Sequence, residues 1–266
     1  MEDKKQPLVS VIIACYNGEK YIDQCLEALV NQTYKNIEVI ICDDASKDKS
    51  LTLLKQWVAK DSRIVVLHNE TNLFAAATRN RCLEVARGYF IAIQDVDDVS
   101  AFNRIEKLVE VMNNEDVDFV CSAAGAFYED PTKIDKIYSG KEYPTKWSFL
   151  WGIPFFHPAT IFAKDCLKKV DGYRIAKETR RGQDYDLFMR LYAAGYKGKR
   201  IPDVLYYYRL DMGNIKRRDF DSTIGEFVIR WKGFKKLCLF PWALPFVFKP
   251  FLSHVVQFVR YYGKTN

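Results

Sequence analysis

An α/β fold with a parallel sheet covered by helices on both faces is predicted by three observations. Short apolar runs alternate with amphipathic stretches through roughly the first hundred residues, the pattern of strand and crossover helix. Polar clusters follow the first, second and fourth of these runs, so they converge at one sheet edge. The 266 residues are 48% hydrophobic and 15% aromatic, which supplies a sizeable core and argues against disorder.

The elements follow in order. Leu8–Ala14 is a short buried strand. Tyr21, Ile22, Cys25, Leu26, Leu29 and Val30 recur at helical spacing, predicting an amphipathic helix from about Glu19 to Asn31. Ile37–Cys42 is the second strand, and Leu51, Leu54, Trp57 and Val58 mark the second helix. Arg63–Leu67 is the third strand. A helix from about Ala75 to Ala86 leads into the fourth, Tyr89–Ile93.

The strand ends carry the chemistry. The fourth strand runs into Asp95-Val96-Asp97-Asp98. Like charges so close raise one another's pKa, and a hard divalent ion relieves that repulsion by taking oxygen ligands from carboxylates and substrate phosphates. The first strand ends at Cys15-Tyr16-Asn17-Gly18, the second at Asp43-Asp44-Ala45-Ser46. An aromatic, a carboxylate pair and an acidic cluster at one edge suit a nucleotide diphosphate: stacking on the base, accepting its N–H, and holding its phosphates through a metal. Singly, each has a plain structural use, Asn17-Gly18 as a turn and Ser46 as a helix cap.

Composition narrows the classes. The seven cysteines are scattered, without a Cys-x-x-Cys pair or zinc-like spacing to His, which favours a reducing compartment. The N-terminus is polar and lacks the apolar centre of a signal peptide. The net charge of +6 belongs to the C-terminal end: residues 216–266 carry ten Lys/Arg against Asp219, Asp221 and Glu226, leaving the first 215 residues at −1.

Pro7–Asn17, Gln32–Ser46, Arg79-Asn80 and Asp95–Asp98 together resemble the inverting family 2 glycosyltransferases of the GT-A fold, over about the first 210 residues. The resemblance implies a Rossmann-like, mixed but mostly parallel sheet flanked by helices. It also implies a nucleotide-sugar donor, a divalent cation (Mn²⁺ or Mg²⁺) and single displacement at the anomeric carbon. Tyr16 matches the aromatic that packs on the base, and Asp44 the carboxylate that binds a uracil-type base, with Asp43 organising the loop. Asp98 matches the metal ligand and Asp97 a ribose or metal contact. Asp95 completes the Asp-x-Asp pattern, and Arg79 is placed near the donor. There are two departures. Asn72-Leu73-Phe74 stands where the family commonly has Asn-x-Gly, so Phe74 is expected to reshape that loop and narrow the donor site. Ala14 stands where some relatives carry a hydroxyl.

In Arg180–Leu191, the spacing of Leu187, Leu191 and Ala194 predicts a helix with Asp184 in its first turn, a position the macrodipole favours for any carboxylate. The resemblance implies that Asp184 is the general base of an inverting transfer, and helical geometry leaves Asp186 a structural role. His157, before a likely strand, fits a family position near donor phosphates or acceptor. Trp147 and Trp151 suit an acceptor groove or the core equally. Val204–Arg209 reads as a strand, and the loop Gly213–Arg218 after it offers cations to a leaving diphosphate.

The tail is of another kind. Leu237–Phe248 is apolar, flanked by Lys235, Lys236 and Lys249, but holds two prolines and is shorter than the ~20 residues a spanning helix needs. With Val255–Tyr262 it suits a membrane interface, giving peripheral contact through 230–264. The competing use is a cap on the globular part or a homodimer contact. The expected organisation is a nucleotide-sugar-binding half (1–105), an acceptor and catalytic-base half of the same domain (106–215), and the basic, aromatic helical tail (216–266).

Other classes fit less well. A dinucleotide oxidoreductase needs Gly-x-Gly-x-x-Gly after the first strand, and a sugar nucleotidyltransferase needs a glycine-rich, Arg-containing loop there; neither is present. The apolar run in the basic tail argues against nucleic acid. The expectation is a cytoplasmic enzyme, peripheral on the inner membrane face, moving a sugar from a UDP-sugar-class donor to a glycan or polyprenyl-linked acceptor in cell-surface polysaccharide synthesis, as in lipopolysaccharide or capsule. The alternative is an inactive sugar-nucleotide-binding subunit, against which the retention of Asp98 and Asp184 argues.

Overall fold

The computed structural model describes residues 6–210 and 219–262, with side chains through 255. The chain begins β1 (Val9–Cys15), α1 (Ile22–Val30), β2 (Ile37–Asp43), α2 (Ser50–Lys60), β3 (Ile64–His68), α3 (Phe74–Val85) and β4 (Phe90–Asp95). This is the strand and helix alternation expected from periodicity, with boundaries moved by up to three residues. It continues with β5 (Val99–Ser100), α4 (Arg104–Asn114), β6 (Phe119–Phe127), β7 (Lys136–Tyr138), β8 (Thr160–Ala163), α5 (Lys164–Lys169), α6 (Gln183–Ala193) and β9 (Gly198–Arg209). The tail is α7 (Phe220–Lys236), α8 (Leu244–Val247) and α9 (Lys249–Tyr262).

One mixed sheet of nine strands runs in the order β3-β2-β1-β4-β8-β6-β9-β5, with β7 paired to β6. β1 to β4, β6 and β9 run one way; β5, β7 and β8 run the other. The sheet crosses the expected boundary at residue 105 without a break. β1 and β2 are buried on both faces, which is why they read as unbroken apolar runs rather than alternating ones. Ile12 faces a core shared with α3 and α6, while Val9, Val11 and Ile13 face the core under α1 and α4.

The chain winds outward from β1 to β3, then returns to place β4 on the other side of β1. That reversal opens a crevice beyond the C-terminal ends of β1 and β4, where ligands bind in open α/β sheets. Cys15 pairs with Asp43, and Ala14 with Asp95, so the two acidic strand ends flank the end of β1.

The tail is partly core. α7 packs on α6 and on the 3-10 turn Lys177–Thr179, and its glycines allow the approach. A Cβ on Gly225 would lie 2.8 Å from the Glu178 carbonyl oxygen, and one on Gly233 would lie 2.4 Å from Met189 Sδ. Leu237, Leu239, Ala243 and Val247 are buried in the main core, so the apolar run expected at a membrane spends one face inside the protein. Trp242, Leu244, Phe248 and Leu252 remain exposed. Among the described residues no helix is long and apolar enough to cross a membrane.

Candidate active site

The loops after β1 and β2 are laced together. Asn17 N–H donates to Ser46 Oγ at 2.9 Å, and Lys47 N–H donates to Asn17 Oδ1 at 2.9 Å. Asn17 adopts φ +53°, a left-handed turn that Asn tolerates. Tyr16 stands half-exposed on this shelf. Asp43 is fully buried: its Oδ2 accepts the Ser46 N–H at 3.2 Å and meets His68 Nδ1 at 2.9 Å.

Asp44 is tied to the start of α3. Its Oδ1 accepts Asn69 Nδ2 at 2.7 Å and the Leu73 N–H at 2.8 Å, and its Oδ2 accepts the Phe74 N–H at 2.9 Å. Phe74 has φ +65°, in the left-handed region glycine favours, which is the physical reason a glycine suits this position.

The acidic tetrad divides its partners. Asp95 Oδ1 accepts Arg79 Nη2 at 2.6 Å. Asp98 is buried, with Oδ2 accepting the Tyr206 hydroxyl and Oδ1 accepting the Arg209 N–H, both at 2.8 Å. Asp97 is exposed, and Arg209 Nε donates to its backbone oxygen at 2.9 Å. Beneath them Arg104 is buried, donating to Gln94, Ser100, Ile93 and Pro158 and lying 4.8 Å from the Tyr206 ring.

Desolvation raises the Asp98 pKa well above the usual carboxylate range, and the Asp95 and Asp97 charges add to it. Desolvation at the crevice and the Asp95 charge also raise Asp97. This repulsion, on oxygen donors alone, is the electrostatic setting a hard divalent cation relieves. Among the described residues no group of three His, Cys, Asp or Glu side chains could cage an ion unaided. Asp95, Asp97 and Asp98 offer oxygen donors of the kind such an ion takes together with a substrate diphosphate and water.

Arg79 joins the two halves of the site. Its guanidinium is buried, yet Nε and Nη1 have no hydrogen-bond partner. Its charge acts on Asp95 on one side and on Tyr173 and Asp184 on the other. The neighbouring Asn80 pins the Tyr173 backbone, donating to its oxygen at 2.7 Å and accepting its N–H at 2.8 Å. The Tyr173 hydroxyl meets His157 Nε2 at 2.7 Å. Burial, with the Arg79 charge behind it, holds the His157 pKa well below normal, so the ring is neutral.

Asp184 lies in the first turn of α6, as expected, with Oδ1 accepting the Tyr185 N–H at 2.8 Å. Desolvation raises its pKa, and the Arg79 charge opposes that rise. Asp186 turns away into Arg174 (2.9 Å) and Arg190 (2.6 Å), the structural role expected of it. Asp184 lines a cavity of about 820 Å³ between Gly152-Ile153, the Lys177–Gly182 turn and α7. Trp151 is exposed beside it, stacked edge-on against Phe246 of α8. The Gly213–Arg218 cations lie outside the described residues.

The structure thus groups Arg79, Asp95, Tyr173, His157 and Asp184, and holds Asp98 through Tyr206 and Arg209. Tyr173, Tyr206, Arg104 and Arg209 were not singled out from sequence. Tyr173, Tyr206 and Arg209 bond to residues about a hundred positions away, and Arg104 lies against the equally distant Tyr206 ring, so no local spacing signals them.

A family model described as Glycosyl transferase family 2 matches residues 10–169. The chain is 34% identical over 234 residues to the putative glycosyltransferase EpsE of Bacillus subtilis, covering 88% of this chain and 84% of that protein. It is 31% identical over 252 residues to an Escherichia coli protein named UDP-Glc:alpha-D-GlcNAc-diphosphoundecaprenol beta-1,3-glucosyltransferase WfaP, covering 93% and 97%. The fold resembles that of S. aureus TarS 1-349 in complex with UDP-GlcNAc, with TM-score 0.70 at 21% identity over 85% of this chain and 66% of that one. It also resembles the mannosyltransferase PcManGT of Pyrobaculum calidifontis in complex with GDP-Man and Mn²⁺, with TM-score 0.64 at 18% identity over 95% and 76%. The chain spans just under two thirds of the TarS segment. These likenesses identify the GT-A fold.

Proposed function

Because this chain belongs to glycosyl transferase family 2, we propose that it is an inverting, metal-dependent glycosyltransferase. In this reading it moves a sugar from a UDP-sugar-class donor to a glycan or polyprenyl-linked acceptor in cell-surface polysaccharide synthesis. The observation that carries the reading is Arg79, buried between Asp95 and Asp184 with two donor nitrogens unmet.

The donor diphosphate lies in the crevice beyond β1 and β4. Tyr16 stacks on the base. Asp44 keeps one lone pair of Oδ2 for a base N–H, since its neighbours occupy the rest. Asp97, Asp98 and Asp95 would hold the divalent cation, which would neutralise charge on the leaving diphosphate. The unmet Arg79 N–H groups donate to the donor's phosphate or sugar oxygens. Neutral His157 holds Tyr173 beside that guanidinium.

The acceptor occupies the cavity that Asp184 lines. Its hydroxyl oxygen attacks the anomeric carbon from the face opposite the diphosphate, and Asp184 takes the hydroxyl proton. The bond from the anomeric carbon to the phosphate oxygen breaks, its electron pair leaves on the diphosphate, and the configuration inverts. The exposed aromatic and lysine surface of the tail supports a reading in which this reaction runs on the inner membrane face, where a lipid-linked acceptor resides.

The test is a thermal-shift panel of nucleotide sugars with Mn²⁺ or Mg²⁺, followed by transfer and donor-hydrolysis assays on the wild type and Asp184→Asn. A ligand that binds the folded state raises its apparent stability. No shift with any nucleotide sugar sinks the donor reading. Equal turnover by wild type and variant removes Asp184 as the base.

A further inference from the structure

Two anomalies meet at one contact. Phe74 holds a left-handed φ of +65°, a conformation that is a strain for a bulky non-glycine residue. Its ring is half-exposed, so burial does not account for it. The Arg180 guanidinium carbon lies 3.6 Å from the centre of that ring. Phe74 opens α3 and is bonded to Asp44 on the donor wall, while Arg180 lines the Asp184 cavity. The stack therefore bridges the two walls of the cleft.

The charges of the cavity make Arg180 distinct. Lys177 pairs with Asp221 at 3.2 Å, Arg181 with Asp219 at 3.9 Å, and Arg230 with Glu226 at 2.7 Å. The Arg180 side chain makes no hydrogen bond or ion pair among the described residues and is exposed, though its charge also acts on Asp219. Stacking uses the face of a guanidinium and leaves its in-plane N–H donors free, and that fork matches the oxygens of a phosphate. The ring thus fixes the plane of a cation without neutralising it.

We propose that Arg180, seated on Phe74, binds a phosphoryl group of a substrate at the boundary between the donor crevice and the Asp184 cavity. The inference rests on the glycosyl-transfer reading for what enters the cleft. The phosphoryl group has two sources, the nucleotide donor or a prenyl-diphosphate acceptor.

Isothermal titration separates them, using UDP or GDP with Mn²⁺ in one arm and farnesyl diphosphate in the other. The proteins are the wild type, Arg180→Ala, Arg180→Lys, Phe74→Gly and Phe74→Tyr. Losing a charge-assisted contact is expected to weaken one probe about tenfold in Arg180→Ala and leave the other unchanged. Arg180→Lys restores part of the loss. Phe74→Gly, which suits the left-handed backbone, keeps the turn and weakens the same probe about threefold through lost orientation, whereas Phe74→Tyr binds like wild type. Loss of nucleotide affinity assigns the site to the donor; loss of farnesyl diphosphate affinity assigns it to the acceptor. Wild-type-like binding of both probes by Arg180→Ala overturns the inference alone. A wild type that binds neither probe overturns it together with the reading beneath it.

Discussion

The Tyr206 hydroxyl donates to Asp98 Oδ2 at 2.8 Å, and its own oxygen accepts the Asp95 N–H at 3.1 Å. One phenol from β9 thus fixes both ends of the acidic tetrad. Tyr206→Phe leaves a buried carboxylate oxygen and a backbone N–H unmet, for a cost of about 1–3 kcal/mol. We expect a lower melting temperature and weaker Mn²⁺-dependent nucleotide binding from the same variant, read by thermal melts with and without metal and nucleotide. Unchanged binding would mean that the orientation of Asp98 does not matter to the site.

Asp184→Asn should separate function from stability. Removing a general base lowers kcat by about 10²–10⁴-fold, while donor-induced thermal shifts persist. Desolvation raises the Asp184 pKa, so activity is lost as pH falls through that raised value, earlier than for an exposed aspartate. The stability sign is opposite. A raised carboxyl pKa means that the folded state favours the proton, so stability falls as pH rises from the unfolded value to the folded one and stays lower above it. The variant should therefore melt higher than wild type at neutral pH, with the gap closing in acid. A lower melting point at neutral pH would show the carboxylate to be structural.

The resemblance singled out Arg79, but its environment was not legible in the sequence. The first four strands and three helices could be read because each is a local apolar pattern, and the strand ends followed by topology. The support of the site could not. Tyr173 reaches Asn80 across 93 residues, and Tyr206 reaches Asp98 across 108. Phe74 was visible as a departure from glycine, but the guanidinium on its ring lies 106 positions away and only folding brings it there. Likewise the tail's apolar run reads as one surface, whereas the turns after α7 and the short α8 send Leu239 and Val247 inward and leave Trp242 outward. For Arg79 itself, substitution by Met leaves Asp95 unpaired and removes the unmet donors. The expected result is a fall in kcat/KM of about tenfold or more, with Arg79→Lys intermediate because lysine keeps the charge but loses the fork. Steady-state kinetics on the three proteins decides it.

Glu178 ties α7 to the turn before α6. It accepts Lys232 Nζ at 2.8 Å and Arg174 Nη1 at 2.7 Å, and these cations hold its pKa down to about 2. A depressed carboxyl pKa gives stability that is complete above the unfolded value and is lost as pH falls through the folded one. Glu178→Gln should cost about 1–2 kcal/mol at neutral pH. The difference from wild type should shrink toward pH 2. Urea melts across that range measure it, and a constant difference would assign the effect to packing.

Membrane contact is best tested by point substitution, since deleting the tail would remove Phe234, Leu237, Leu239 and Val247 from the core. Trp242 is 73% exposed and Leu252 66% exposed, and both follow the exposed Lys235 and Lys236. Each surface lysine contributes about 1 kcal/mol of attraction to anionic lipid. Reversing both charges should therefore weaken binding to phosphatidylserine or phosphatidylglycerol vesicles by more than about tenfold, with wild-type binding falling as salt rises. Trp242→Ser should weaken binding to the same vesicles without removing the salt dependence. All these side chains are exposed, so the variants should melt like the wild type. In flotation, wild-type protein remaining with the soluble fraction in the presence of anionic vesicles rejects the membrane role and leaves the exposed face of the tail to another partner, a second copy of the chain first among those to test by sedimentation.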